Sequence, residues 1–220
     1  MFIDPATLST LSLATGWIIL LLYVFHSLLS RPWTHHPETP LGSIWPAFVV
    51  GLMMIWLLKA GLVEGLEVHL LGLTALTLMF GTRLAILGVV SIYLLLAIWN
   101  KVSWSVIGWN ALLVGVFPIL FAAQIHRLAY RYLPPNFFVF VFVSSFLSGA
   151  LVMAFTMLLL SIFLLLTSAH PPELIRSQFM LISLLLIFPE AFINGGIMAV
   201  LSIYRPEWVL GFNQDRYLRD

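Results

Sequence analysis

An acid inside a long apolar run is the first feature that calls for a chemical reason: Glu190, in Ile187-Phe188-Pro189-Glu190-Ala191-Phe192-Ile193-Asn194-Gly195-Gly196. A carboxyl group at membrane depth costs about 3 kcal/mol on insertion scales and is retained where it faces a bundle interior or a wet cavity. Asn194 follows at i+4, on the same helix face. Pro189 weakens the local hydrogen-bond ladder and Gly195-Gly196 admits close backbone approach, which predicts a broken or tightly packed segment. Two roles fit this pair: interhelical hydrogen bonding, or a station on a substrate pathway. Asn110, beside Trp109 and between Gly108 and Gly115, is a second amide in an apolar helix and predicts a hydrogen bond across helices. His69, in Glu67-Val68-His69-Leu70-Leu71-Gly72, opens a predicted helix at a membrane interface. A neutral imidazole there can ligate a divalent metal, with Glu64 or Glu67 adding oxygen. A solvated interfacial histidine fits the same spacing. The adjacent His35 and His36 and the Met53-Met54 pair offer further nitrogen and thioether donors, though a Pro-rich loop and an apolar helix are ordinary places for each.

These residues are carried by a chain of 220 residues that is 61% hydrophobic and 9% charged, against about 25% charged in a soluble domain. Such a composition excludes a water-soluble globule and predicts an all-α polytopic integral membrane helical bundle. A net charge of +1 provides no basic face for nucleic acid. With no cysteine, disulfides and thiolate metal sites are excluded together, so any metal must be held by nitrogen, oxygen or thioether. No nucleophile elbow, paired carboxylates or phosphate loop occurs, which argues against an enzyme.

The elements that must position the candidates follow from Pro, Gly and the few charges, because only helices or closed barrels can span lipid. About seven transmembrane helices are predicted in a single domain, 1–220: Leu11 to Ser30, Ile44 to Leu62, two short helices from the stretch Glu67 to Trp99 broken near Gly81-Thr82-Arg83, Trp104 to Tyr130, Phe137 to Leu166 with a kink near Gly149, and Gln178 to Tyr204. The split of the third stretch rests on length, since an unbroken helix at 1.5 Å per residue would overshoot a core of about 30 Å. Cytoplasmic loops carry excess Lys and Arg. With the amino terminus outside, Arg31, Arg83, Arg127, Arg131, Arg205, Arg216 and Arg219 fall inside, leaving Lys59, Lys101 and Arg176 outside, seven against three. The chain therefore reads as an integral protein of a bacterial-type inner membrane, amino terminus outside and a tail of about 205–220 in the cytoplasm. Glu64, Glu67, His69 and His170 then share the outer side with Met1, and His35, His36 and His126 lie inside.

Taken in order, the motifs resemble the CbiM-like permease family, the cobalt/nickel-type substrate-binding membrane component of energy-coupling-factor transporters. Met1-Phe2-Ile3-Asp4-Pro5-Ala6-Thr7-Leu8-Ser9 is similar to the family's amino-terminal M-H-I-P-D-G-F-L-S. Gly65-Leu66-Glu67-Val68-His69-Leu70-Leu71-Gly72 resembles its G-x-x-x-H-L-x-G segment, Gly81-Thr82-Arg83-Leu84 stands where it has G-P-W-A, and Gly108-Trp109-Asn110 through Gly115 to Pro118 resembles G-A-N-x-x-N-M-x-x-x-G-P. Glu190 matches a family glutamate in the last helix. The resemblance implies a seven-helix subunit that captures a divalent ion (nickel, cobalt or zinc) at its outer face through His69 and the Met1 amine, and that works in the lipid membrane with a coupling transmembrane protein and ATPase subunits. Phe2 stands where the family has a histidine, Leu113 where it has a second Asn, and Leu96 where a Gln is expected. A square-planar amino-terminal chelate is then incomplete, and Glu67, Glu64 or His170 are the candidates to complete the set. The competing expectation is a non-transporting assembly or interaction factor that keeps the same fold, with Glu190 and Asn194 as glue between helices.

Overall fold

The computed structural model describes residues 3, 8–29, 41–59, 67–168 and 171–217. Met1, Phe2, His35, His36, Glu64 and His170 lie outside the described residues. Long helices make up the bundle: α1 (Thr10–Leu29), α2 (Leu41–Leu57), α3 (Leu73–Ile98), α4 (Trp104–Tyr132), α5 (Phe137–Leu166) and α6 (Pro172–Tyr204), followed by a 3-10 turn at Pro206–Trp208 and a short α7 (Gln214–Tyr217). Five of them, all but α2, are long and apolar enough to cross a membrane. The predicted break in the third stretch falls at Gly81, whose φ of 75° and ψ of 165° interrupt α3. Two rods result, 73–80 and 82–98, and with them the described residues form seven rods.

The rod 73–80 forms the centre of the bundle. All of Leu73 to Phe80 is buried, as expected of a helix that is apolar all round. It is about 12 Å long at 1.5 Å per residue, too short to cross a bilayer by itself. The non-helical segment 67–72 leads into it. His69 was expected to open this helix; the helix begins four residues later in the chain, at Leu73. The reason is Gly72. Its φ of 63° lies in the left-handed region, and a Cβ there would come within 2.6 Å of Leu52 Cδ1. Only glycine makes that turn at that spot.

Helix contacts fix which ends lie together. Gly16 of α1 meets Gly108 of α4 so closely that a Cβ on Gly108 would sit 2.5 Å from the Gly16 carbonyl carbon. Nearby, Trp109 Nε1 donates to the Ser12 carbonyl at 2.8 Å and Trp17 Nε1 to the Trp104 carbonyl at 3.2 Å. The starts of α1 and α4 and the end of α3 thus form one end of the bundle. At the other end, the tail after α6 meets Leu78 and Met79, and Arg216 donates to the Tyr130 carbonyl at the end of α4. α4, α5 and α6 each contain a widened π turn, at Leu112–Val116, Phe140–Leu147 and Ile175–Phe179. The one in α5 ends just before Gly149, near which a kink was predicted.

Candidate metal centre

Non-helical backbone inside a membrane must find hydrogen-bond partners within the protein, and in the segment 67–72 those partners are specific side chains. Glu190 Oε2 accepts from the Leu71 N–H at 2.7 Å and Oε1 from the Gly72 N–H at 2.7 Å. Asn194 Oδ1 accepts from the Ala75 N–H at 2.8 Å, while its Nδ2 donates to Glu190 Oε1 at 2.8 Å. Glu190 and Asn194 are both fully buried. Together they cap the amino-terminal end of the rod 73–80, where unpaired N–H groups and the positive end of the helix dipole converge. Glu190 is about 21 Å along α6 from Tyr204, at 1.5 Å per residue, which puts the cap near mid-bilayer. Its two oxygens are taken by three donors. Of its two expected roles, the hydrogen-bonding one describes this arrangement.

Three residues before the cap stands His69. Its ring is 2% exposed, so the solvated interfacial setting expected from spacing is corrected to a buried one. A neutral imidazole carries one N–H and one lone pair. Nδ1 lies 2.9 Å from the Leu70 carbonyl and donates to it, which assigns the lone pair to Nε2. One ring face packs on Trp56, centroids 4.9 Å apart, and Trp56 in turn meets the edge of Tyr93 at 5.4 Å. Trp56 Nε1 donates to the Leu71 carbonyl at 3.0 Å, so the wall is tied to the segment it shields. An imidazole fixed by a carbonyl on one nitrogen is the usual setting of a histidine that binds metal through the other.

The remaining candidates separate. Glu67 is partly exposed and paired with Lys59 at 2.8 Å, and the ammonium holds its carboxyl below the ordinary range. Asn110 Oδ1 accepts from the Ile3 N–H at 3.1 Å, and both residues are buried. The predicted interhelical bond is therefore made to the amino-terminal segment instead, which draws the start of the chain into the bundle. Asn110 Nδ2 has no partner among the described residues. Among the described residues, no three His, Cys, Asp or Glu side chains are grouped so as to hold a metal ion. Sequence reasoning missed the Trp56–Tyr93 wall, Lys59 and the turn at Gly72. Of these only Gly72 carried a signal, as the last glycine of the G-x-x-x-H-L-x-G pattern.

A profile of the family described as "Cobalt uptake substrate-specific transmembrane region" (CbiM) matches residues 2–208. The chain belongs to the CbiM family. No curated protein matches its sequence. Two solved structures share the fold. One, a transition metal transporter, is 14% identical, with a TM-score of 0.73 and 92% of each chain covered. The other, a truncated transition metal transporter, is 15% identical, with a TM-score of 0.72, covering 91% of this chain and 98% of the other. Within this CbiM-family chain, the buried His69 and the amino-terminal residue Ile3 both lie in the half of the bundle that contains the start of α4.

Proposed function

We propose that this chain is the substrate-capturing membrane component of an energy-coupling-factor-type uptake system for a divalent transition-metal ion. The observation that carries the reading is His69: a neutral, buried imidazole whose Nδ1 is anchored on a carbonyl and whose Nε2 holds the lone pair, set in a segment capped by Glu190 and Asn194. The cap also bears on the sign of the cargo. A half-helix end in mid-membrane ordinarily attracts an anion. Here the carboxylate of Glu190 already occupies that end and offsets its positive potential, which suits a cation above it. Ile3 enters the bundle through Asn110, and that supports a Met1 amine as a second nitrogen ligand. Glu64, Glu67 and His170 are the candidates for the place that Phe2 cannot fill. Replacing an imidazole by carboxylate oxygen would move preference from square-planar nickel toward zinc or a looser cobalt site. Energy would come from partner ATPases through a coupling membrane protein, on the cytoplasmic side by the count of Arg and Lys.

Titration of nickel(II), cobalt(II) and zinc(II) into the purified protein, His69→Ala and Phe2→His tests this reading. Binding by wild type that is lost in His69→Ala is the expected result. Tight nickel binding that survives His69→Ala would reject the site. The second reading, an assembly or interaction factor that retains the fold, is favoured by the described residues providing no three-donor group. It predicts no binding until Phe2→His is introduced.

A further inference from the structure

The rod 73–80 is held at both ends by one continuous piece of chain. At its amino-terminal end the partners are Glu190 and Asn194 of α6. At its other end the chain turns away at Gly81, and two of the carbonyls released there accept from the tail that follows α6: Leu210 N–H donates to Met79 at 3.2 Å and Gly211 N–H to Leu78 at 2.8 Å. Between the two grips runs the helix from Glu190 to Tyr204, joined to Val209 by the turn at Pro206–Trp208. The tail is itself pinned. Phe212 and Tyr217 stack with centroids 5.3 Å apart, both pack on Phe140 of α5, and Arg216 lies 3.7 Å over the Tyr130 ring of α4. Every residue of the rod is buried, so a displacement at one end is carried to the other through a packed, unbending element. Beside the tail contact is a cavity of about 370 Å³ lined by Thr77, Gly81, Thr82, His126 and Arg127 among others, which gives the tail room to shift.

We propose that α6 and its tail act as a two-ended clasp on the rod 73–80, in which Glu190 and Asn194 are positioning residues for His69 and the docking of the tail at the opposite face sets how firmly they hold it. The metal half of this statement rests on the metal-capture reading above; the clasp itself is a property of the apo chain. Through it, whatever engages the tail changes the geometry around His69, and metal at His69 changes the docking of the tail by the same factor, because coupling between two sites is reciprocal.

The test is hydrogen exchange of the full-length protein in lipid nanodiscs, read on peptides covering 67–75 and 206–217. Gly211→Ala is the mild variant: its Cβ would stand 3.2 Å from Leu78 Cδ2 and 3.3 Å from both His126 Nε2 and the Leu78 carbonyl oxygen, so the tail and these neighbours must part by a few tenths of an ångström. Truncation after Trp208 is the complete one, and Glu207→Gln, an exposed change in the same tail, is the control. Both tail variants should exchange roughly five-fold faster in 67–75, the size expected for loosening one or two hydrogen bonds, and Glu207→Gln should match wild type. Wild-type protection of 67–75 in both tail variants would overturn the clasp. On metal addition, wild type should slow in both peptides, and Gly211→Ala should bind metal roughly five-fold more weakly at an unchanged melting temperature. A wild type that binds no metal would defeat the metal reading and leave the apo exchange to decide the clasp. Metal binding that is unaltered in Gly211→Ala and protects 67–75 alone would defeat the coupling and leave the metal reading standing.

Discussion

Glu190 shows what the type and position of a single residue can reveal. That it would be shielded from lipid follows from the cost of a carboxyl in hydrocarbon, and the i+4 spacing put Asn194 on its face. What it would face does not follow, because the partners are backbone N–H groups of residues 71 and 72, more than a hundred positions away. The partner set ranks its substitutions. Glu190→Gln keeps an acceptor for one backbone N–H but turns an NH₂ toward the other, losing about 1–2 kcal/mol. Glu190→Leu leaves both N–H groups buried and unpaired, losing about 3 kcal/mol or more. Thermal unfolding in detergent should therefore order wild type above Gln above Leu, and an equal loss in both would mean that the charge itself is required.

Among the elements, the third crossing departs furthest from a plain helix, and the sequence exposes one half of that departure. A stretch too long for one span with Gly81-Thr82-Arg83 in its middle predicts a break by length alone, and Gly81 provides it with a positive φ. The non-helical segment 67–72 is not legible in the sequence. Val68, Leu70 and Leu71 are as apolar as any helical residues, and composition does not distinguish a buried non-helical stretch from a helix when both are enclosed by protein. The decisive residue is Gly72, whose role depends on Leu52 of a neighbouring helix as much as on its own dihedrals. Gly72→Ala combines a left-handed alanine, about 1 kcal/mol, with a contact that Leu52 must yield to. It should lower the melting temperature, and Leu52→Ala in the same chain should recover part of the loss. No recovery in the double variant would place the whole effect in the backbone. A second close approach, Gly16 on Gly108, joins α1 to α4 through backbone, and Gly108→Ala should separate them, seen as faster exchange of the first turns of α1.

For the whole molecule, orientation is the property that the charges predict and that the arrangement of ends makes testable. The structure gathers Arg83, Arg127, Arg131, Arg205 and Arg216 at the end where the tail docks, while Lys59, Lys101 and Arg176 stand at the ends of rods that face the other way. This matches the grouping of Lys and Arg read from the loops between the predicted helices. It follows because an odd number of rods returns the chain to the face opposite its start, and the broken third crossing counts as two of the seven. Had the stretch from Glu67 to Trp99 been one helix, His69 and the tail would have fallen on the same face as each other. The seven-to-three distribution of Lys and Arg predicts a cytoplasmic tail, so a reporter fused after Asp220 should be active only in its cytoplasmic form, and a cysteine placed at Lys101 should be labelled by an impermeant maleimide added outside cells. The chain has no native cysteine to confuse the reading. A tail reporter active outside, with Lys101→Cys protected until the membrane is permeabilised, would invert the bundle, put His69 on the cytoplasmic side, and remove the basis for uptake through it.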